Sequence, residues 1–416
     1  MVNIKEAKMY QLDKVWLKIQ LRLIFPVIAS LVFLFLFAGI SNAGEKLLKP
    51  SHDMVSLKNE LKRTYEMGYA YLEKNQNPDG SWSNPGFPAL TGLVIYGFLT
   101  SPGNKDLEKK PEFIKKALAY IISNVHENGA IYSEGLPNYN TSICILALVA
   151  ANDAQYYPII LKARRYISTL QLDQGEKGVA DQPYDGGIGY GSKDHSDMSN
   201  TCLALEALKV SEFLESDDQL AVYTDLKGLE NKSLDWGAAL KFIQRCQNLP
   251  GYNDQAWSSA DEKNRGGFVY YPGNSKAGEE VLPDGKTALR SYGSMTYAGL
   301  LSFIFADLKK DDPRVQAAYG WLKKNYTLEE NPGVGQQGLY YYYHTMAKAL
   351  TVYGDDFIVG ENGKNINWRK ELTIKFVENQ REDGSWINPS ARWWENDPVL
   401  VSAYALISLN MITPHL

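Results

Sequence analysis

Two stretches near opposite ends of the chain share one sequence pattern. Residues 72–82 read Leu-Glu-Lys-Asn-Gln-Asn-Pro-Asp-Gly-Ser-Trp, and residues 376–386 read Phe-Val-Glu-Asn-Gln-Arg-Glu-Asp-Gly-Ser-Trp. Each has the features of a last helical turn, a tight turn at Asp-Gly and an anchoring tryptophan. Because a motif that recurs far along a chain indicates a repeated supersecondary unit, we predict a solenoid or a closed ring.

From about residue 56 onward we identify six units, each with an amphipathic helix, a Gly-rich turn and a second helix that is apolar nearly all round. The second helices align on a shared hydroxyl residue: Thr91, Thr141, Thr201, Thr296, Thr345 and Ser402. A helix that is apolar on every face is buried on every side, whereas the first helices carry charge on one face. The pattern predicts an all-α fold, an (α/α)6 toroid of six helix-hairpin repeats with an inner and an outer ring.

Residues 1–43 are predicted to be an export signal. A basic segment ends at Arg22, an apolar run covers residues 23–40, and small residues lead to Ala43. The apolar run is long for a signal peptide, so an uncleaved anchor that associates with the membrane is the alternative. Both interpretations place the toroid domain, residues 44–416, outside the cytoplasm, either in the periplasm or secreted. The net charge of −5 argues against a nucleic-acid partner, which requires a basic face.

The pattern Gln-x-x-x-Gly-x-Trp at residues 76–82 and 380–386 resembles the QW motif of squalene and oxidosqualene cyclases. Those cyclases share the six-pair α/α toroid with the β subunits of protein prenyltransferases, and the resemblance extends from about residue 56 to the end. It implies a structural role, as a tie between units, for Gln76, Trp82, Gln380 and Trp386. It also implies a central cavity that takes an isoprenoid and activity of the terpene cyclase (isomerase) or prenyltransferase kind.

The catalytic motif of the hopene-type cyclases is a DxDD run at the mouth of an inner helix. Asp197-Met198-Ser199-Asn200 resembles this run and keeps its first aspartate. Ser199 stands at the position of the family's proton donor, and a hydroxyl cannot protonate an alkene. The sequence therefore leaves two interpretations of Asp197, a catalytic acid or the N-cap of a helix.

The stretch Tyr343-His344-Thr345 resembles the one that carries the zinc-binding histidine of the prenyltransferases. Arg290 and Tyr292 stand where the other two ligands would be, so we predict no metal and no cofactor. His344 is interpreted either as a core histidine with a hydrogen-bond partner or as a polar, acid–base group beside the central cavity.

Other candidate site residues lie at the starts of the second helices, which gather at one end of a toroid. The candidate catalytic residues are Asp197, His344 and Asp397. The candidate cavity-lining residues are Asn138, Asn140, Asn200, Tyr292, Tyr342, Trp393 and Trp394.

These observations predict a terpene-cyclase-like protein that acts on, or binds, an isoprenoid in a central cavity. Two alternatives remain open at the level of sequence. One is a non-catalytic toroid that binds a lipid or a peptide. The other is a carbohydrate-active α/α toroid enzyme, which needs paired carboxylates, and Asp197 with Asp397 is the candidate pair.

Overall fold

The computed structural model describes residues 52–104, 109–191, 195–216, 233–360 and 363–416. The predicted export segment, residues 1–43, lies outside the described residues. Within the described part, no helix is both long and apolar enough to span a bilayer. Twelve described helices of ten residues or more form two sets that alternate along the chain.

The odd-numbered helices are amphipathic and the even-numbered helices are apolar on nearly every face. The odd-numbered set is α1 His52–Lys74, α3 Glu112–Ser123, α5 Tyr157–Thr169, α7 Trp236–Arg245, α9 Pro313–Lys324 and α11 Trp368–Asn379. The even-numbered set is α2 Pro88–Thr100, α4 Pro137–Ala150, α6 Met198–Val210, α8 Gly293–Phe305, α10 Leu339–Tyr353 and α12 Pro398–Ile412.

The even-numbered helices form a closed inner ring. Each packs against the next one along the chain, and α12 packs against α2. Every residue of α8 is buried, whereas α7 buries one face only. The odd-numbered helices pack around this ring, so the prediction of an all-α, (α/α)6 toroid is confirmed.

The remaining elements are short. A four-residue helix covers Phe213–Ser216, and 3-10 turns cover Ala154–Tyr156, Arg392–Trp394 and Thr413–His415. Two antiparallel hairpins pair β1 Glu279–Val281 with β2 Thr287–Leu289, and β3 Ile358–Val359 with β4 Asn365–Ile366. The first hairpin lies in the long insertion before α8.

The shared hydroxyl fastens each Gly-rich turn to the inner helix that follows it. In five units the hydroxyl oxygen accepts a hydrogen bond from a turn N–H group, and the acceptors are Thr91, Thr141, Thr201, Thr296 and Ser402. Thr345 is the exception, because its hydroxyl donates back to the carbonyls of Tyr341 and Tyr342. The alignment of Thr345 with the others was therefore wrong in register.

The QW residues join neighbouring units through their side-chain N–H groups. Gln76 Nε2 donates to the carbonyl of Gly80 (3.0 Å) in its own turn and to that of Phe113 (2.7 Å) in the next outer helix. Gln380 Nε2 makes the equivalent bonds to Gly384 and to Thr64 of α1, both at 2.9 Å. The indole N–H groups of the buried Trp82 and Trp386 donate to carbonyls ten residues upstream, in the preceding helix. Gln380 thereby helps to close the ring between its last and first units.

The glycine of the motif is required by two independent constraints. Gly80 and Gly384 have φ of 90° and 88°, a region that disfavours residues with a Cβ. A Cβ on Gly384 would lie 2.3 Å from the carbonyl oxygen of Met67 in α1, and one on Gly80 would lie 2.5 Å from that of Lys116 in α3. Each turn therefore approaches the backbone of the next outer helix closely.

Candidate functional site

A cavity lies on the axis of the inner ring, and all six inner helices contribute to its wall. Most of the wall is apolar or tyrosine. The lining residues are Leu93, Tyr96, Tyr139, Ile143, Leu146, Ser199, Cys202, Leu203, Glu206, Leu301, Tyr341, His344, Thr345, Lys348, Tyr404 and Ile407. Its volume is about 30 Å³, which is enough for one or two water molecules. We call it the axial cavity.

Two oppositely charged side chains meet in this cavity. Lys348 Nζ of α10 lies 2.7 Å and 2.8 Å from the two carboxylate oxygens of Glu206 in α6. The side chains of Glu206 and Lys348 are only 3% and 5% exposed. A charge buried this deeply is tolerated only when it is paired and hydrogen-bonded, and the symmetric contact to both carboxylate oxygens provides this pairing.

His344 lies on the cavity wall one helical turn before Lys348. The residue is 4% exposed, and its Nδ1 has no hydrogen-bond partner among the described residues. Burial lowers the pKa of the imidazole well below its usual value, and the positive charge of Lys348 lowers it further. His344 is therefore neutral at neutral pH, with a free ring nitrogen. We call Glu206, His344 and Lys348 the axial cluster.

Tyrosines line the axial cavity toward the end where the inner helices begin. The hydroxyls of Tyr139 in α4 and Tyr404 in α12 are 3.1 Å apart, so a hydrogen bond spans two helices that are not ring neighbours. The ring of Tyr404 packs in tilted contacts against His344, at a centroid distance of 4.9 Å, and against Tyr341, at 6.0 Å. Burial raises the pKa of Tyr139 to about 12, so its phenol stays neutral at physiological pH.

The inner helices begin at one end of the ring, which we call the N-terminal rim. Asp197 caps α6 there: one carboxylate oxygen accepts from the backbone N–H of Asn200 and the hydroxyl of Ser199, and the other accepts from the side-chain amide of Asn200. Burial raises the pKa of the Asp197 carboxyl, and these hydrogen bonds oppose the shift. The N-cap interpretation describes this geometry, and the carboxylate does not line the axial cavity.

The amides of the N-terminal rim are also hydrogen-bonded to neighbouring helices. Asn138 Nδ2 donates to Asn200 Oδ1 (3.2 Å) and to the Gly189 carbonyl (3.0 Å), which links α4 with α6. Asn140 Oδ1 accepts from the N–H of Ala89 at the start of α2 (2.8 Å). These residues hold the starts of the inner helices together.

The second candidate carboxylate, Asp397, caps α12. Its Oδ1 accepts from the backbone N–H of Val399 (2.9 Å) and from the hydroxyl of Ser83 (3.0 Å). Because α6 and α12 are opposite members of the six-helix ring, Asp197 and Asp397 cap helices on opposite sides of the axis. This placement does not favour a pair of carboxylates acting on one glycosidic bond.

Two predicted cavity tyrosines lie elsewhere. Tyr342 packs its ring on Tyr297 and donates its hydroxyl to the Thr327 carbonyl, which follows the outer helix α9. Tyr292 is buried as the N-cap residue of α8, and burial raises the pKa of its phenol well above the usual value.

Trp393 and Trp394 form an exposed turn at the N-terminal rim, with 40% and 47% of their surfaces accessible. Their φ values of 58° and 65° are unusual for residues with side chains. Trp394 packs on Phe87 at 4.8 Å. The turn is held by the buried carboxylate of Glu395, which accepts from the N–H groups of Tyr340 and Tyr341 at the start of α10 and from the amide of Asn388.

The axial wall therefore differs from the predicted one. None of Asn138, Asn140, Asn200, Tyr292, Tyr342, Trp393 and Trp394 lines the axial cavity, whereas their chain neighbours Tyr139, Ser199 and Tyr341 do. The reason is helical geometry, because adjacent residues point about 100° apart around a helix. Of the candidate catalytic residues, only His344 reaches the cavity, and the roles of all three stay predictions.

Sequence reasoning missed Glu206 and Lys348. A signal was present, since Glu206 and Lys348 are charged residues near the middle of helices that are otherwise apolar on nearly every face, in Leu-Ala-Leu-Glu-Ala-Leu and Met-Ala-Lys-Ala-Leu. Such residues are rarely buried unless paired. Their pairing across the ring, 142 positions apart in the chain, depends on the register of α6 and α10, which the sequence pattern does not give.

Comparison with known proteins gives a limited result. No protein-family model matches the sequence, and no curated protein matches it. Among solved structures, a type II terpene cyclase from Scytonema is 14% identical and has a TM-score of 0.48, with 86% of this chain and 99% of that chain covered.

A variant of this cyclase, solved in complex with geranylgeranyl dihydroxybenzoate, is 13% identical with a TM-score of 0.47, over 87% of this chain and all of that chain. A protein from Actinoplanes is 13% identical with a TM-score of 0.45, over 85% of this chain and 99% of that chain. A likeness at this level concerns the helical architecture and carries no information about activity.

Proposed function

We propose that this protein binds an isoprenoid-type hydrophobic molecule in the axial cavity. The observation that carries the proposal is the cavity itself: six inner helices surround it with apolar and tyrosine side chains, and its charged residues form an internal pair. Inner helices of 13–15 residues extend about 20 Å, which is comparable with an extended chain of four isoprene units. The resemblance of the QW-type turns to those of squalene cyclases supports the same class of ligand.

The cavity volume of about 30 Å³ is far below the roughly 300 Å³ of a small-molecule pocket. Binding therefore requires wall side chains to move. The hydrogen bond between Tyr139 and Tyr404 spans the end nearest the N-terminal rim, and we infer that it opens only while the ligand passes and is intact again once the ligand is bound.

The groups on the wall support binding more than cyclisation. Protonation of an alkene requires a strong acid, whereas the axial cluster offers a neutral imidazole and an ammonium paired with a carboxylate. Asp197 is hydrogen-bonded through both oxygens as a helix cap, and burial raises the pKa of its carboxyl, which makes it a weaker acid. We therefore infer that the protein is a terpene-cyclase-like toroid whose main role is to bind its ligand.

The test is binding of a radiolabelled C20 prenyl alcohol to the full-length protein. The variant Ile143→Phe adds a ring to a small cavity and should abolish binding, because overpacking leaves no space for the chain. The matched control is Val281→Phe, at a position that is 71% exposed, and it should bind as the wild type does. Equal binding by both variants, or none by the wild type, would contradict the proposal.

A further inference from the structure

We propose that the axial cluster recognises the uncharged hydroxyl end of the ligand, so that the protein selects a prenyl alcohol over a hydrocarbon or a diphosphate. The inference rests on the proposed function, because it concerns the same cavity. It adds the chemical class of the ligand's polar end and the residue that binds it.

The first observation is the unsatisfied nitrogen of His344. A buried polar atom without a partner costs about 1–3 kcal/mol, and nearly all such atoms in proteins are paired. Nδ1 of His344 has no partner among the described residues, although the residue is 4% exposed and lies on the wall of a cavity. Nδ1 itself has almost no accessible surface, so a ligand hydroxyl reaches it only when wall side chains move, as entry into a cavity of about 30 Å³ already requires.

The second observation is the charge balance of the cluster. Glu206 and Lys348 neutralise each other through two contacts of 2.7 Å and 2.8 Å, and the imidazole of His344 is uncharged. A diphosphate would bring several negative charges beside Glu206 with no unpaired cation to receive them. Burying charge without compensation is strongly unfavourable, so an anionic end group does not fit.

The third observation concerns the wall around His344. Tyr404 covers one face of the imidazole at 4.9 Å, and its own hydroxyl is already paired with Tyr139. A hydrocarbon at this wall would leave Nδ1 unpaired. A hydroxyl both donates and accepts, so it can bond Nδ1 in either tautomer of the neutral ring.

The cluster therefore requires a group that is polar, uncharged and able to form at least one hydrogen bond beside an apolar wall. A prenyl alcohol meets these requirements, with its chain along the wall formed by Leu93, Ile143 and Leu301 and its hydroxyl at His344. Lys348 keeps Glu206 neutralised and is not itself the recognition group.

The experiment compares three probes on the full-length protein: a C20 prenyl alcohol, the hydrocarbon of the same length and the diphosphate of the same alcohol. The alcohol should bind about tenfold more tightly than the hydrocarbon, which corresponds to one hydrogen bond of about 1.4 kcal/mol. The diphosphate should bind more weakly than either.

The variant His344→Phe keeps a flat ring but removes the nitrogen, and should reduce the ratio of alcohol to hydrocarbon affinity to less than about twofold. His126→Phe, at an exposed histidine that stacks on Tyr132, is the matched control and should keep the full preference. The comparison of probes on the wild type needs no variant, so it remains decisive if His344→Phe fails to fold.

The outcomes separate the two proposals. Equal affinities for the alcohol and the hydrocarbon would overturn the role of the axial cluster and leave the proposed function intact. Tightest binding of the diphosphate would likewise overturn the proposed selectivity and leave the proposed function intact. No binding of any probe would overturn both.

Discussion

The N-terminal rim and the axial cluster are both polar and buried, but their hydrogen bonding differs. At the rim, Asp197, Asn138 and Asn140 use their side-chain atoms to cap helices and to tie neighbouring helix starts together. In the axial cluster, the ion pair is complete but Nδ1 of His344 has no described partner. Buried polar groups with all their hydrogen bonds made inside the protein specify its structure, whereas the unpaired nitrogen of the axial cluster is where our proposal places a ligand.

The largest expected effect is on the ion pair. Lys348→Met leaves Glu206 buried and unpaired, and should lower the free energy of unfolding by about 3–5 kcal/mol. The double variant Glu206→Leu with Lys348→Met should recover most of this loss, because an apolar pair fits the same space. Urea unfolding of the purified protein measures both.

The matched control is Lys115→Met, which breaks an exposed pair with Glu112 (3.4 Å) and should cost less than about 1 kcal/mol. Similar stabilities for Lys348→Met and Lys115→Met would show that the axial pair is not buried as described.

The second prediction concerns the pH dependence of stability. The pKa of His344 is lowered in the folded protein, so below its unfolded value of about 6.5 the unfolded chain takes up a proton that the folded protein does not. The wild type should therefore lose stability as the pH falls below about 6.5, by up to about 1.4 kcal/mol per pH unit more than His344→Phe does. Urea unfolding at pH 7.5, 6.5 and 5.5 tests this, with His126→Phe as the control. A pH-independent difference between the wild type and His344→Phe would contradict it.

The third prediction distinguishes two roles of Asp197, a helix N-cap and a catalytic acid. Asp197→Ala removes the N-cap of α6 and should cost about 1 kcal/mol in the free energy of unfolding, whereas Asp197→Asn keeps an acceptor and should cost less. Both variants should bind a prenyl alcohol as the wild type does. Loss of binding in Asp197→Asn, with its stability retained, would move the functional site from the axis to the rim.

The smallest effect is expected at the exposed tryptophan turn. Trp393→Ala should change the free energy of unfolding by less than about 0.5 kcal/mol and leave prenyl-alcohol affinity unchanged, since Trp393 does not line the axial cavity. Trp82→Ala, at a fully buried tryptophan, should cost about 3–5 kcal/mol. A drop in affinity for Trp393→Ala at unchanged stability would assign the turn a direct role in ligand entry.

The sequence predicted the architecture well because the architecture repeats. The all-round apolar composition of α4 and α12 predicted an inner ring, and the paired turns at Gln76–Trp82 and Gln380–Trp386 predicted equivalent units. Only the fifth unit was placed out of register, because its Thr345 lies at the seventh position of α10, whereas Thr91 and Thr201 lie at the fourth positions of α2 and α6.

The site was harder to predict because it depends on rotation of the helices about their axes. The prediction selected polar residues at the starts of the inner helices. Asp197 and Asp397 stand there because their carboxylates cap α6 and α12. Glu206 and Lys348 stand in the middle of apolar helices from different units, and only closure of the ring brings them together. His344 was selected for its position, but its unpaired nitrogen is visible only once its neighbours are known.

Closure of the ring has a consequence for how the chain acquires its structure during synthesis. α1 contacts α11 and α12, Gln380 donates to the carbonyl of Thr64, and the hydroxyls of Tyr65 and Thr413 are 3.0 Å apart. The first described helix, α1, is therefore synthesised well before the helices against which it packs. A nascent chain that lacks only α12 exposes the apolar flanks of both α2 and α10, so the incomplete toroid should depend on chaperones until its final helix is made.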